Sequence, residues 1–354
     1  MPDTAAATSR RIVLARRPRG APAPDDFGLE EGPLPAPAES EALIRTVWLS
    51  LDPYMRGRMS EGPSYAPSVA LGEVITGECV GEVVESHAPG LRPGGLVRGF
   101  GGWREHFALP AGKLTRVDPA DGPPSTALGV LGMPGLTAYA GLLAIGEPKP
   151  GETVAMGAAT GAVGAVAGQI AKLRGCRVVG VAGGAGKCAY AVRELGFDAC
   201  LDRGEPDLEG RLRDACPDGI DVYVELVGGA VTDAVLPLLN TFARVPVIGG
   251  IAAYNAPSPP EGPDRMPWLL RQALVKRLRI QGMIVWDYAA MEPDFRREVG
   301  AWVREGKVRY REHVTEGLAN APAALLDLLE GRNFGKALVR VGPDPASPPD
   351  AARG

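Results

Sequence analysis

Hydrophobic and polar positions tend to alternate over the first third of the chain. From residue 10 to about 120, short apolar runs rich in β-branched residues are separated by glycine and proline turns. Such runs predict β-strands, here at residues 11–14, 42–51, 73–85, 96–100 and 103–109. Many short strands between turns are typical of a small, closed or nearly closed β-domain.

The pattern changes near residue 132, and from residue 153 short apolar runs alternate with helical patterns. Strands are predicted at 153–156, 178–182, 199–201, 221–226, 244–248 and 279–285, and helices at 162–173 and 186–195. This alternation predicts a parallel, doubly wound α/β sheet. Pro246 counts against the strand at 244–248, because proline lacks a backbone donor.

The last part of the chain returns to a mixed pattern after about residue 308. A helix at 320–329 and a strand at 336–341 are expected to rejoin the first domain. The predicted organisation is therefore a β-domain over 1–130, a doubly wound domain over 131–308, a return to the β-domain over 309–342 and a disordered tail over 343–354. Residues 21–37 and 342–354, rich in proline, alanine and aspartate, are predicted to be loop or disordered.

Composition narrows the class of protein. Of 354 residues, 45% are hydrophobic and 23% are charged, as in folded globular proteins. A net charge of −4 without basic blocks argues against nucleic-acid or membrane-surface partners, and no apolar run has the length of a signal-peptide core or a membrane span. Five scattered cysteines, an odd number, suit a reducing compartment. We expect a cytoplasmic enzyme with a small-molecule substrate.

A turn of small residues joins the strand at 153–156 to the helix that follows it. Ala158 and Gly161 would let the backbone approach a pyrophosphate at the helix N-terminus, and Gly164 would let the helix pack on the strand. Ala158 replaces a glycine of the usual G-x-G-x-x-G motif. Simple close packing is the alternative, but the strand–turn–helix context favours dinucleotide binding.

The end of the next strand indicates which dinucleotide is bound. NAD-binding sheets usually carry an acid there for the adenosine ribose, whereas this chain has Lys187 and no acid in residues 181–187. A cation at this place would pair with the extra phosphate of NADP. A solvated lysine at a helix start is the alternative, and NADPH is favoured.

No metal site can be assembled from local spacing in the sequence. His87, His106 and His313 are far apart, and no two cysteines lie closer than twelve positions. Zinc alcohol dehydrogenases of similar length need clustered cysteine and histidine ligands. No metal ligand is therefore predicted.

Five segments, in order, together resemble one family. They are LDPYMR (51–56), GMPGLTAY (132–139), AATGAVGAVAGQIAKLRGC (158–176), GGIAAYN (249–255) and GRNFGK (331–336). The set resembles the zinc-independent medium-chain dehydrogenase/reductases of the prostaglandin reductase, leukotriene dehydrogenase and curcumin reductase type. The resemblance extends from about residue 10 to 341.

The resemblance implies a fold, a cofactor and a reaction. The fold would be a GroES-like β-domain split around a Rossmann domain, usually in a homodimer, with NADPH in the cleft. The reaction would reduce a carbon–carbon double bond conjugated to a carbonyl, with hydride delivered to the β-carbon and the resulting enolate protonated at the α-carbon. Such chemistry needs a donor aimed at the enolate oxygen, and no metal.

The resemblance also implies roles for individual residues. By analogy, cofactor contacts come from the pyrophosphate turn, the 2′-phosphate site, the loop beside the nicotinamide and a late asparagine, namely Gly161, Ala162, Val163, Gly164, Lys187, Gly249, Gly250 and Asn333. Tyr54 and Tyr254 are the candidates for lining the substrate slot and stabilising the enolate. The alternatives are a packed aromatic for Tyr54 and a tyrosine stacked on the ribose for Tyr254.

Three places depart from the family pattern. Asp202 replaces a phosphate-contacting tyrosine, and the adjacent Arg203 is expected to take over that contact. Leu226 replaces an asparagine that contacts the cofactor. Residues 243–246 read Ala-Arg-Val-Pro in place of the usual Gly-Arg run. These changes suggest a specialised family member.

Two further hypotheses remain open beside the NADPH-dependent enone or enal reductase. The first is a reductive cyclase that adds hydride to an extended polyene carbonyl in a biosynthetic pathway. The second is a nucleotide-binding protein of the same fold that has lost turnover, since fold alone does not determine function. The presence of Tyr54 and Tyr254 favours an active enzyme over the second of these.

Overall fold

Residues 8–256 and 264–345 are described in a computed structural model, and the chain divides into two units. The β-unit contains the chain up to Gly129 and from Glu312 onward, and the α/β-unit contains Val130–Arg311. None of the helices in this described part is long and apolar enough to cross a membrane.

The first part of the β-unit consists of short strands and one short helix. In chain order they are β1 (Thr8–Leu14), β2 (Phe27–Pro33), β3 (Glu41–Ser50), α1 (Tyr54–Arg58), β4 (Cys79–Ser86), β5 (Leu96–Gly99), β6 (His106–Pro110) and β7 (Thr115–Arg116). β3 is almost continuously buried because its side chains pack in two hydrophobic clusters, Ile44 and Leu49 in one and Val47 and Trp48 in the other. It pairs with β4 along its length and with β6 over residues 41–45. Gly81 of β4 permits this approach, since a Cβ there would lie 2.5 Å from the Arg45 carbonyl oxygen.

The α/β-unit alternates helices and strands. Its elements are α2 (Met133–Ala140), β8 (Thr153–Met156), α3 (Gly164–Leu173), β9 (Arg177–Ala182), α4 (Ala185–Arg193), β10 (Ala199–Asp202), α5 (Leu208–Ala215), β11 (Ile220–Val224), α6 (Gly229–Val235), β12 (Leu239–Val247), α7 (Met266–Lys276), β13 (Arg279–Gly282) and α8 (Glu292–Arg304). The strands form a parallel sheet in the order β10-β9-β8-β11-β12-β13. This confirms the predicted doubly wound sheet, and the order is that of a Rossmann fold.

Side chains alternate between two cores on the faces of this sheet. Val154 and Met156 of β8 pack in one hydrophobic cluster, whereas Ala155 between them packs in the other. Consecutive side chains of a strand point to opposite faces, so a strand covered on both faces is apolar throughout. Pro246 lies in β12, and its carbonyl oxygen accepts a hydrogen bond from the Glu225 amide.

The end of the chain completes the sheet of the β-unit. Its elements are β14 (Glu312–Glu316), α9 (Ala321–Leu329) and β15 (Lys336–Arg340). The main strand order is β14-β15-β3-β4-β5-β7. β15 pairs antiparallel with β3, which places residue 336 beside the start of α1.

Two local predictions were wrong. The predicted strand at 73–85 begins only at Cys79, and Val74 forms an isolated bridge with Val13. Residues 21–37 are not all loop, since β2 pairs with β1 over seven residues. The Phe27 ring stacks on Trp103 at a centroid distance of 5.8 Å, and this long-range contact is invisible in the local composition.

The predicted disordered tail is described only in part. Pro343 and Asp344 accept hydrogen bonds from the side chains of Arg45 and Trp48. The rest of the predicted tail, residues 346–354, lies outside the described residues.

Candidate active site

The predicted pyrophosphate turn connects β8 to α3. Ala158 adopts a φ of 47°, in the left-handed region that favours glycine. A Cβ on Gly164 would lie 2.5 Å from the Ala158 carbonyl oxygen, so only glycine allows the helix to start this close to the strand. The helix α3 begins at Gly164 and not at residue 162 as predicted. The turn before it therefore contains Gly161, Ala162 and Val163, which are half-buried.

Lys187 and Arg203 lie together next to this turn. Lys187 is in the first turn of α4, which follows β9, and Arg203 follows β10, the neighbour of β9 in the sheet. A Cβ on Gly183 would lie 3.2 Å from the Arg203 Nε. Burial and the charge of Arg203 lower the pKa of Lys187. Two cations that repel each other here are suited to bind an anion between them.

The side chain of Asp202 is hydrogen-bonded to the backbone and does not contribute to anion binding. Its Oδ1 accepts hydrogen bonds from the Gly184 amide at 3.0 Å and the Gly204 amide at 2.9 Å. These two bonds lower the pKa of the Asp202 carboxyl. The aspartate thus connects the turns after β9 and β10 and holds Arg203 beside Gly183.

Gly249, Gly250 and Tyr254 form one loop after β12. The amides of Ile248 and Gly249 donate to the Glu225 carbonyl oxygen. A 3₁₀ turn at Ile251–Ala253 then directs Tyr254 back, so that its hydroxyl accepts a hydrogen bond from the Gly250 amide at 3.4 Å. The structure therefore brings these three predicted residues together.

The buried carboxylate of Glu225, which the sequence analysis did not assign to the site, organises the turn after β11. Its Oε1 accepts from the amides of Val227 (2.8 Å) and Gly228 (2.9 Å) and from the Tyr223 hydroxyl (3.3 Å), and its Oε2 accepts from the Thr232 hydroxyl. The signal was an acid directly after a buried strand. The adjacent Leu226 contributes its carbonyl oxygen, which accepts from the Ile251 amide.

In the β-unit, Tyr54 is the first residue of α1. Its hydroxyl is buried and has no hydrogen-bond partner within the described part of the chain. Burial, with smaller contributions from the carboxylates of Asp52 and Glu78, raises the pKa of the Tyr54 phenol well above its ordinary value. The Arg58 guanidinium lies over the ring, 5.9 Å from its centroid. Tyr54 therefore keeps its proton at neutral pH and can donate it to a ligand oxygen.

Asn333 lies in the turn before β15. Its Nδ2 donates to the Gly335 carbonyl oxygen at 2.7 Å, which stabilises the turn. Asn333 and Tyr54 belong to the β-unit, whereas the other predicted site residues belong to the α/β-unit. Across residues 8–256 and 264–345, no group of three or more His, Cys, Asp or Glu side chains could hold a metal ion.

The chain is similar to known proteins over nearly its whole length. Residues 10–117 match a family described as the N-terminal domain of oxidoreductase, and residues 162–301 match one described as zinc-binding dehydrogenase. The NADPH-dependent curcumin reductase of Escherichia coli K12 is 54% identical over 95% of this chain and 98% of its own. The NADP-dependent 2-alkenal reductase of Nicotiana tabacum is 40% identical over 94% and 98%.

The structure also resembles a solved complex. The crystal structure of CurA from Vibrio vulnificus with NADPH superimposes with a TM-score of 0.91 at 49% identity. The match covers 94% of this chain and 99% of that one.

Proposed function

The chain belongs to the zinc-independent medium-chain dehydrogenase/reductases of the curcumin, prostaglandin and alkenal reductase type, and from this we propose that it reduces carbon–carbon double bonds conjugated to a carbonyl with NADPH. One observation above all supports NADPH. Lys187 and Arg203 lie together beyond the carboxyl ends of β9 and β10, and residues 183–187 after β9 contain no acid, where an NAD-binding sheet usually has one.

The residues of the α/β-unit fit this cofactor. Gly161, Ala162, Val163 and Gly164 form a small-residue turn that admits a pyrophosphate at the start of α3, where the first amides have no intrahelical partner. Lys187 and Arg203 would hold the 2′-phosphate. Gly249 and Gly250 would flank the nicotinamide, and Asn333 would contact the cofactor. When bound, NADPH supplies the hydride that the β-carbon of the substrate accepts.

Two tyrosines are proposed to act on the substrate. The Tyr54 hydroxyl is protonated, buried and without a partner in the described residues, so it can donate to the carbonyl oxygen as negative charge develops there. One such donor contributes about 3 kcal/mol of barrier lowering. The Tyr254 hydroxyl accepts from Gly250, which leaves its own proton for a substrate oxygen. The enolate then takes a proton from solvent at the α-carbon.

The test is NADPH oxidation by the purified protein across a panel of simple enones and enals. A strong fall in turnover in Tyr54→Phe and Tyr254→Phe supports the proposal. The absence of NADPH oxidation with every member of the panel refutes it. Mass and NMR analysis of the product separates a simple saturated ketone from the ring-closed product of a reductive cyclase. Tight NADPH binding without turnover would indicate the inactive nucleotide-binding protein.

We further propose that the enzyme is a homodimer. β13 is an edge strand whose residues are all exposed, and large apolar side chains of α7 and β13 are exposed beside it. They are Leu270 (60%), Leu274 (78%), Val275 (56%) and Ile280 (42%). An open edge strand can pair with its own copy about a two-fold axis, which would cover this surface.

Light scattering after gel filtration tests the dimer. Leu270→Lys should give monomers, whereas Leu71→Lys, a position of nearly equal exposure in the β-unit (58%), should not. A monomeric parent protein at micromolar concentration would refute the dimer. We also propose a cytoplasmic location, since all five cysteines are free, and cell fractionation tests it.

A further inference from the structure

A buried ion pair connects two segments of the β-unit that lie 284 residues apart. Lys336, the first residue of β15, lies opposite Asp52, where the β3–β15 register continues past Ser50. The Lys336 Nζ donates to the Asp52 Oδ1 and to the Leu51 carbonyl oxygen, both at 2.7 Å. Only 5% of the lysine side chain and 7% of the aspartate side chain are exposed. The Ser50 hydroxyl donates to the other carboxylate oxygen of Asp52.

A second acid on the other side of the lysine is held differently. Glu312 of β14 lies opposite Lys336 in the parallel β14–β15 register, and its Oε2 accepts from the Ser125 hydroxyl at 2.9 Å. Burial raises the pKa of Glu312, opposed by the Ser125 hydrogen bond and the charge of Lys336. The direct counter-ion of the lysine is thus Asp52.

Stability alone does not explain such a pair. Replacing a buried ion pair by apolar side chains of similar size is often neutral or stabilising, because both charges must be desolvated. What the pair does uniquely here is fix two backbone segments at once. Tyr54 follows Asp52 by two residues, in a helix of only five residues, and no described residue hydrogen-bonds its hydroxyl. Asn333 precedes Lys336 in the turn that Gly335 closes.

We propose that Asp52 and Lys336 are positioning residues that hold Tyr54 and Asn333 in place for substrate and cofactor. The inference rests on the proposed reductase function, because it assigns those two contacts to the reaction. With no hydrogen bond from the described residues to its hydroxyl, Tyr54 takes its position from packing and from the backbone at residues 51–54, and Lys336 holds that backbone at the Leu51 carbonyl oxygen.

The experiment compares Asp52→Asn, Lys336→Met and the double variant with the parent. Each single variant leaves one buried charge unpaired and should lower the midpoint of thermal unfolding by roughly 5–10 °C, whereas the double variant should recover most of that loss. The value of kcat should fall roughly 10- to 100-fold in all three, since a displaced catalytic group costs that much. A double variant that recovers kcat together with stability overturns the proposal.

Coupling to Tyr54 provides the readout that a purely structural role would not change. The loss of kcat caused by Tyr54→Phe should be at least about 10-fold smaller in the double variant than in the parent, because residues acting as one unit are not additive. Full additivity contradicts the proposal. The matched control is Glu316→Gln with Arg340→Met, which removes the more exposed ion pair of β14 and β15 and should leave kcat unchanged.

A separate measurement keeps this inference distinguishable from the reductase proposal. If the parent protein oxidises no NADPH with any enone, the proposed function fails, and amide hydrogen exchange still tests the pair. Exchange of the amides at residues 51–58 and 331–336 should accelerate together in the double variant, with the other strands of the sheet unchanged. Unaltered exchange at both segments refutes the positioning role.

Discussion

Two regions of this protein use buried or half-buried charge in opposite ways. In the α/β-unit, Lys187 and Arg203 bring two positive charges together, and burial, with a further contribution from the charge of Arg203, lowers the pKa of the lysine. In the β-unit, Lys336 and Asp52 neutralise each other at 2.7 Å. Like charges held together by a fold are suited to a ligand of the opposite sign, whereas a completed pair is suited to holding the chain itself. The comparison separates a binding role from a positioning role.

The largest effect is expected in the second region, at Tyr54. Tyr54→Phe should lower kcat by roughly 100-fold or more, since it removes a donor to developing negative charge. It should not destabilise the fold, because the hydroxyl has no partner in the described residues. Steady-state kinetics and urea unfolding measure the two quantities.

Tyr139→Phe provides the opposite control. The Tyr139 hydroxyl donates to Glu298 at 3.1 Å, and burial raises the pKa of this phenol to about 12. Its removal should cost about 1 kcal/mol of unfolding free energy and leave kcat unchanged. If Tyr54→Phe and Tyr139→Phe lowered kcat equally, the Tyr54 hydroxyl would not differ in function from the structural hydroxyl of Tyr139.

In the first region, Lys187→Ala and Arg203→Ala should each raise the KM for NADPH by roughly 10- to 100-fold, since each removes a charge-assisted contact. The KM for NADH, which lacks the 2′-phosphate, should not change. Arg193→Ala, at the other end of α4, is the control. An equal rise in the KM for NADPH and for NADH would show that Lys187 and Arg203 do not bind the 2′-phosphate.

Glu225 is a third kind of buried charge in this protein. Among the described residues, the donors that the Glu225 carboxylate accepts from are two amides and two hydroxyls, all of them uncharged. In Glu225→Gln, the new side-chain NH₂ group faces backbone amides and hydroxyls that are themselves donors, so hydrogen bonds are lost. The substitution should therefore cost about 1–3 kcal/mol of unfolding free energy. Urea unfolding measures this loss, and an unchanged midpoint would show that the turn after β11 does not depend on the charge.

The smallest effect concerns pH. The charged form of Lys187 binds the phosphate, and burial and Arg203 lower its pKa, so the charge is lost at a lower pH than for an ordinary lysine. The KM for NADPH should therefore rise with pH by a few-fold on the alkaline side of neutrality, while the KM for NADH stays flat. Lys187→Arg should flatten the profile, because a guanidinium keeps its proton. A profile unchanged by this substitution would contradict the assignment.

The α/β-unit was largely predictable because its signals are local. β8 has the predicted bounds, and the small-residue turn before α3 and the lysine after β9 lie within one strand–turn–helix segment each. The β-unit was less predictable. β2 was missed, since its pairing with β1 and the contact of Phe27 with Trp103 depend on residues far away in the sequence.

The alternation of strands and helices, the glycine-dependent turn at 158–164 and the lysine in place of an acid after β9 follow from local sequence, because periodicity and backbone conformation act over a few residues. The approach of Arg203 to Gly183, the hydrogen bonds of Asp202 to two turns and the pairing of Lys336 with Asp52 depend on the folded chain. These contacts arise where neighbouring strands end at the same edge of a sheet, and strand neighbours are set by the packing of the whole core.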